Sequence, residues 1–379
     1  MKILHIADTH LGYSAYRKTT DEGINQREAD IYQSFVKTID YAIEKNIDLI
    51  LHAGDLFDSV RPNNRAITTA VKQLIRLSEK QIPMVLISGN HEQPKLQETG
   101  HIFQLFDHIS GIYPVYNERY EKIDVSINGE TVAVHCLPQI NIRDYFQEQI
   151  DTIEKDEKAQ YNIFLAHGSI QGIKEFSMNE FNEMLLPKYY LSDQFDYVAL
   201  GHYHKHTEID DHAYYAGSIE PLSFAEANEK HGFIELNLEP QRVIPKFIPF
   251  QTRPLIDVPT IDCVGKSVDE IMQDILSAIA RLEPNGKIFR ITLVHILSHQ
   301  YRSLDYRIIR QYCQGALHYE IQAHIEEQDR SYLESHGKID SIVNEFKQFI
   351  DQQDIKEKQE ILKTGLQYIQ AIDSKKDDI

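Results

Sequence analysis

Three histidines stand within six residues in GHYHKH, residues 201–206, of a chain that is otherwise acidic. A histidine in a core needs only one hydrogen bond. Three at alternating positions behind a glycine have the pattern of a site. The segment follows an apolar run, FDYVALG, and four other such runs end in a comparable way. KILHIA leads into Asp8-Thr9-His10, IDLILHA into Gly54-Asp55-Leu56-Phe57-Asp58, and PMVLIS into Gly89-Asn90-His91-Glu92, while YNIFLAH closes on His167-Gly168. With His202 and His204 this makes two aspartates, one asparagine and four histidines, more than the four ligands of a tetrahedral zinc. The set suits two divalent ions roughly 3.5–4 Å apart, bridged by one carboxylate. Mixed oxygen and nitrogen donors without a thiolate favour Mn²⁺, Fe²⁺ or Zn²⁺ over Ca²⁺ and do not separate those three. Such a pair activates water and neutralises phosphoryl oxygens, so the chemistry predicted is phosphoester hydrolysis.

These donors must be carried to one place. The five runs read as buried strands. Between the first two, residues 28–45 put Ile31, Phe35, Ile39, Ala42 and Ile43 on one helical face, and residues 63–80 repeat the pattern with Ala66, Ile67, Ala70, Val71, Leu74 and Ile75. Strand and helix in alternation predict an α/β fold. HAYYAG and HGFIELNL add strands with no helix between them and suggest a second sheet. In open α/β sheets ligands bind beyond the carboxyl ends of the strands, where all five motifs lie. Alternate residues of an extended segment point the same way, so Asp8 with His10, and His202 with His204, can each present two donors together. The glycines permit sharp turns and leave room for an ion or a phosphate.

Composition bounds the reading. At 379 residues, two or three domains are expected. The net charge of -19 argues against a general polyanion binder, so any nucleic-acid function must rest on a local patch, bound metal or a partner. Cys136, Cys263 and Cys313 form no paired framework, and His5 and Asp8 interrupt the start that a secretory signal would keep apolar. No apolar run approaches the roughly 18 residues of a membrane span. A cytoplasmic protein that does not use a membrane is expected.

The order D-x-H, GDxxD, GNH[DE], H-G, GHxH resembles the calcineurin-like metallophosphoesterase superfamily. More narrowly, ADTHLGY, HAGDLFD, GNHE, GHYHKH and YYAGSIEPLSF resemble the SbcD family, called Mre-eleven in archaea and eukaryotes, the nuclease subunits of double-strand-break repair complexes. The likeness covers about residues 1–250. It implies a sandwich of two central β-sheets flanked by helices. It implies Asp8, His10 and His204 on one ion and Asn90, His167 and His202 on the other, with Asp55 bridging. His91 becomes the catalytic histidine that protonates or stabilises the leaving 3′ oxygen, a task suited to a near-neutral pKa. Many members have Asp after that histidine; here it is Glu92. Asp58 and Glu92 read as carboxylates standing behind the ligands.

Other polar residues carry less. His5 and His52 lie inside strands and read as core histidines, His206 reads as a rim residue, and His101, His108 and His135 give no functional signal. The loops YRKTTDEGINQR and DSVRPNNR bring Tyr16, Arg17, Lys18, Arg61 and Arg65 toward the site as candidate DNA contacts, with solvated loop charges as the alternative. Beyond a proline-bearing linker, residues 251–330 read as a small α/β unit resembling the family's capping domain, and 331–379 as two amphipathic helices with a disordered tail. The resemblance implies that residues 331–372 bind the coiled-coil base of an SbcC-like (Rad-fifty-like) ATPase, and that the nuclease domain forms a homodimer. The expected function is a DNA nuclease with two divalent ions per chain, Mn²⁺ first among them, acting on DNA ends as a 3′-to-5′ exonuclease and on single strands as an endonuclease. It would be nucleoid-associated when acting on DNA. A phosphodiesterase for small substrates and a non-catalytic scaffold are the alternatives.

Overall fold

The computed structural model describes residues 1–171, 184–188, 194–239, 242–326, 346, 350 and 358–373. The chain divides into two compact units, one of residues 1–259, 275–291 and 307–321, the other of residues 260–274, 292–306 and 322–379. In chain order the first elements are β1 (Lys2–Ile6), α1 (Gln26–Glu44), β2 (Leu49–His52), α2 (Asn64–Glu79), β3 (Met84–Ile87), β4 (Ile112–Val115), β5 (Glu121–Ile127) and β6 (Glu130–Leu137). Then come α3 (Arg143–Ile150), β7 (Tyr161–His167), β8 (Ser169–Ile170), β9 (Leu185–Leu186), β10 (Tyr197–Gly201), β11 (Thr207–Asp210), β12 (Ala213–Tyr215), β13 (Gly232–Glu239) and β14 (Arg242–Pro249). Helix starts are set by side chains: the Asn25 side chain accepts from the amides of Arg27 and Glu28, and that of Asn63 from Arg65 and Ala66.

Two six-stranded sheets form the first unit, in the orders β14-β13-β1-β2-β3-β4 and β11-β12-β10-β7-β6-β5. Each central strand is buried on both faces, and the period of two divides its side chains between different cores. In β1, β2 and β3, Leu4, Ile6, Ile50, Met84 and Leu86 pack with α1 and α2, while Ile3, Leu49, Leu51, Val85 and Ile87 face residues of the other sheet. In β7 and β10, Ile163, Leu165, Tyr197 and Ala199 belong to that shared core, and Phe164, Ala166, Val198 and Leu200 to an outer cluster with Phe146 and Ile150 of α3. The result is a sandwich of two sheets with helices outside. HAYYAG enters the second sheet as β12, parallel to β10. HGFIELNL does not: β13 returns to pair antiparallel with β1.

His5 and His52 are core histidines. His5 donates from Nε2 to the Leu200 carbonyl at 3.2 Å and faces the Tyr197 hydroxyl at 3.0 Å with Nδ1. His52 Nε2 lies 3.1 Å from Thr9 Oγ1. Burial pushes both pKa values from 6.5 down to about 3. The unfolded chain therefore takes up protons that the fold refuses. The contribution of these two histidines to stability is full above pH 6.5 and declines as pH falls toward 3, by about 1.4 kcal/mol per pH unit for each. Urea melts between pH 7 and pH 4 should show this decline, and His5→Gln should make it shallower by about one histidine's share.

The remaining described elements are β15 (Leu255–Asp257), β16 (Ile261–Asp262), α4 (Val268–Leu282), β17 (Ile288–Leu297), α5 (Ser298–Arg302), α6 (Tyr306–Tyr312), β18 (His318–Glu326) and α7 (Lys358–Asp373). β17 pairs in parallel with β15 and β16, and with β18. Ile271, Ile275 and Ile279 of α4 are fully buried, as their helical spacing requires. Of the first C-terminal amphipathic segment, only Phe346 and Ile350 lie within the described residues. The Phe346 ring packs so closely on Gly365 of α7 that a Cβ there would stand 2.2 Å from it. The expected tail after 373 lies outside the described residues.

Candidate metal centre

The first two strand ends do not part where their regular pairing stops. The Asp8 amide donates to the Gly54 carbonyl at 3.1 Å, His10 to Asp55 at 3.0 Å and Leu11 to Leu56 at 2.8 Å. This continued ladder holds Asp8, His10 and Asp55 side by side. The φ angle is positive at Asp8 (49°), His10 (44°), Asp55 (55°) and His202 (97°), a conformation uncommon for residues with a Cβ and adopted here by four of the expected ligands. Asp8 accepts the His202 amide on both carboxylate oxygens, at 2.9 and 3.1 Å, which joins the end of β1 in one sheet to the end of β10 in the other.

Two glycines are required by close approach. A Cβ on Gly89 would lie 2.1 Å from Asp55 Oδ1, and one on Gly54 2.3 Å from His167 Nδ1. Gly89→Ala must displace Asp55, and a misplacement of that kind costs on the order of 10²-fold in turnover. Steady-state hydrolysis of bis-p-nitrophenyl phosphate, with circular dichroism confirming an intact fold, checks this.

The expected ligands converge. His167 donates from Nδ1 to the Ala53 carbonyl at 2.8 Å, which turns its Nε2 toward Asn90 Oδ1 at 2.9 Å and Asp55 Oδ2 at 3.3 Å. His202 Nδ1 lies 3.1 Å from the same Asn90 oxygen. On the other side, His10 Nε2 and His204 Nε2 face each other at 3.2 Å. The Nδ1 atoms of these two rings are turned to carboxylates, Asp58 at 3.3 Å and Glu226 at 3.1 Å. With both rings neutral and their protons on Nδ1, two nitrogen lone pairs would meet head-on, an arrangement that a proton or a metal cation between them relieves. Asp8, His10 and His204, and likewise Asp8, Asp55 and His167, present donor atoms within 4.8 Å of one another. Burial opposes charge on His167 and His204, yet the Asp55 and Glu226 carboxylates outweigh it and push both pKa values up to about 9. Asp55 is itself held well below the usual carboxylate range: its burial opposes this, but the His167 and His10 rings prevail. A site that draws positive charge this strongly, through oxygen and nitrogen donors alone, fits divalent cations.

His91 differs from the other site histidines in being 30% exposed. Its amide donates to Asp55 Oδ1 at 3.0 Å and its Nδ1 to the Asp58 carbonyl at 3.1 Å. Its ring stands edge-on to that of His10 at 4.6 Å between centroids. Glu92 does not brace that ring. It is fully buried, accepts from the amides of Leu56 (3.2 Å) and Gly89 (3.1 Å), and so ties the Asp55 turn to the Asn90 turn. Burial and the nearby Asp55 charge push its pKa well above the ordinary value.

Residues 1–206 match the model of a protein family described as calcineurin-like phosphoesterase. The chain belongs to that family. Calcineurin-like phosphoesterases imply bound divalent metal, and the Asp and His groups above could hold it. This family member is also similar to three archaeal proteins called DNA double-strand break repair protein Mre11. That of Methanococcus maripaludis is 35% identical over 240 residues, 60% of this chain and 60% of the relative. That of Sulfolobus acidocaldarius is 29% identical over 313 residues, 78% and 74% of the two chains, and that of Thermoplasma acidophilum 30% identical over 239 residues, 61% and 59%. The first of these matches thus spans three-fifths of the relative's length.

Among the candidate DNA contacts, Tyr16 stacks on His318 with centroids 4.0 Å apart, and Lys18 donates to the Ala316 carbonyl. Arg65 pairs with Glu28 at 3.5 Å. Arg17 and Arg61 are exposed, with no hydrogen bond or ion pair among the described residues. Nothing in the sequence marks Glu226, which stands 22 residues after the histidine it touches.

Proposed function

We propose that the chain is a two-metal phosphodiesterase acting on DNA ends, a Mn²⁺-dependent 3′-to-5′ exonuclease that also cuts single strands. The observation that carries this reading is the convergence of seven oxygen and nitrogen donors from five strand ends, with one solvent-facing histidine beside them. Asp8, His10 and His204 would hold one ion and Asn90, His167 and His202 the other, with Asp55 between them. When bound, the ions lower the pKa of water and neutralise phosphoryl oxygens. The protein's own share is positional. Ala53 and Glu226 fix the ring orientations of His167 and His204, and the Asp58 carbonyl keeps one His91 proton on Nδ1, so that the proton the imidazolium can give up is the one on Nε2. That Nε2–H is then available to the leaving oxygen as the phosphorus–oxygen bond breaks.

DNA enters this reading through the names of the relatives. By the same route we propose residues 1–250 as the nuclease domain, 251–330 as a capping domain, and 331–379 as the helical segment whose residues 331–372 dock an SbcC-like ATPase. A homodimer and a nucleoid-associated, cytoplasmic location belong to the same proposal. Among the described residues, no helix is long and apolar enough to cross a membrane. The net charge of -19 favours a second reading, a phosphodiesterase for small substrates. An end-labelled duplex incubated with Mn²⁺ separates the two. Progressive loss of the 3′ label is expected. An intact duplex alongside turnover of bis-p-nitrophenyl phosphate would establish the small-substrate reading instead.

A further inference from the structure

His204 is held by the segment that follows β12 more completely than by its own strand end. The Ser218 amide donates to the His204 carbonyl at 2.9 Å, and a Cβ on Gly217 would lie 2.8 Å from that oxygen. Farther along, Glu226 takes the ring: its Oε1 accepts from His204 Nδ1 at 3.1 Å and from Ser223 Oγ at 3.2 Å, and its Oε2 accepts from the Leu222 amide at 3.0 Å. A carboxylate with so many donors in one short turn has little freedom to swing. The Leu222 carbonyl is in turn bound by the Tyr13 hydroxyl, from the loop just after His10.

The turn is seated from outside as well. Residues Phe224–Glu226 form one turn of 3₁₀ helix, and Phe224 packs with Tyr16 against Leu255, Ile288 and Leu317. The Arg290 guanidinium lies 4.7 Å from the centre of the Phe224 ring. The glutamate is thus anchored by backbone and hydroxyl donors on one side and by an aromatic plug on the other.

We propose that Glu226 is a positioning residue for the metal centre. It keeps the proton on His204 Nδ1 and the ring turned so that Nε2 points at His10 Nε2, 3.2 Å away. An imidazole that ligates a metal through one nitrogen commonly donates the other N–H to a carboxylate, and loss of that partner costs about 10- to 100-fold in metal affinity. The proposal rests on reading the Asp8, His10 and His204 group as a cation site.

Calorimetric titration of the apo protein with Mn²⁺ tests it, on wild type, Glu226→Ala and Glu226→Gln, each also melted without metal. Glutamine keeps an oxygen to accept from Nδ1 but lacks the charge. Wild type should bind two ions. Glu226→Ala should bind one of them about 10- to 100-fold more weakly, and Glu226→Gln should stay within about threefold of wild type. Both variants should melt within a few degrees of wild type. Equal affinities in wild type and Glu226→Ala would overturn the proposal while leaving the cation site intact. So would a glutamine variant as weak as alanine, or a loss that tracks an early melt, because either describes a turn that merely folds. Wild type that binds no Mn²⁺ would instead remove the cation-site reading on which the proposal stands.

Discussion

Asp55→Asn is expected to abolish Mn²⁺-dependent hydrolysis and to weaken both ions together. Asp55 is buried, its Oδ1 accepts the His91 amide at 3.0 Å, and its Oδ2 stands 3.3 Å from His167 Nε2 and 3.8 Å from His10 Nε2. Its Oδ2 thus stands near one histidine of each proposed ion. Asparagine keeps the shape but removes the charge and turns one acceptor into a donor. The loss should exceed the roughly 10- to 100-fold that follows when only a group behind a ligand is changed. A Mn²⁺ titration with turnover measured on the same samples checks this. Weakening of one ion alone would mean that Asp55 does not bridge.

His91→Ala should separate chemistry from binding. His91 reaches the centre through its ring edge and lends Asp55 a backbone amide that alanine retains. The variant should therefore keep wild-type Mn²⁺ affinity while cleavage falls by roughly 10²- to 10⁴-fold, the usual contribution of a positioned acid. A substrate whose leaving group needs no proton, such as a p-nitrophenyl ester, should lose much less. If metal affinity falls with cleavage, His91 is a ligand, a role its place beside His10 and Asp55 also permits.

The site was legible in the sequence because it depends on chain-local features. Each donor ends its own apolar run or follows it within three residues, and a period of two assigns the side chains to faces. The sandwich was less so. The alternation of strands and helices does not say which strands pair: β7 and β10 lie in a second sheet, which meets the first through long-range contacts such as the Asp8 carboxylate on the His202 amide and His167 on the Ala53 carbonyl. The return of β13 to β1 is likewise a long-range pairing that no local pattern specifies.

The residues behind the ligands were hardest to read. Glu92 follows His91 in the chain but serves the amides of Leu56 and Gly89, because the turn after β3 sends the two side chains to different partners. Tyr16 and Lys18 are candidate DNA contacts from the place of their loop after the first motif, with solvated loop charges as the alternative; their partners His318 and Ala316 stand some 300 residues away. Lys18 to Ala316 is a separation of 298 positions, far outside any window in which spacing carries information. Glu226 fails for the same reason at shorter range.

The central claim is that these strand ends together hold two cations. Native mass spectrometry of the metal-free chain after addition of Mn²⁺ counts them directly. Two ions per chain are expected, falling to fewer than two in Asp55→Asn. A single ion in the wild type, or none, would contradict the two-cation site whatever the protein is later found to cut.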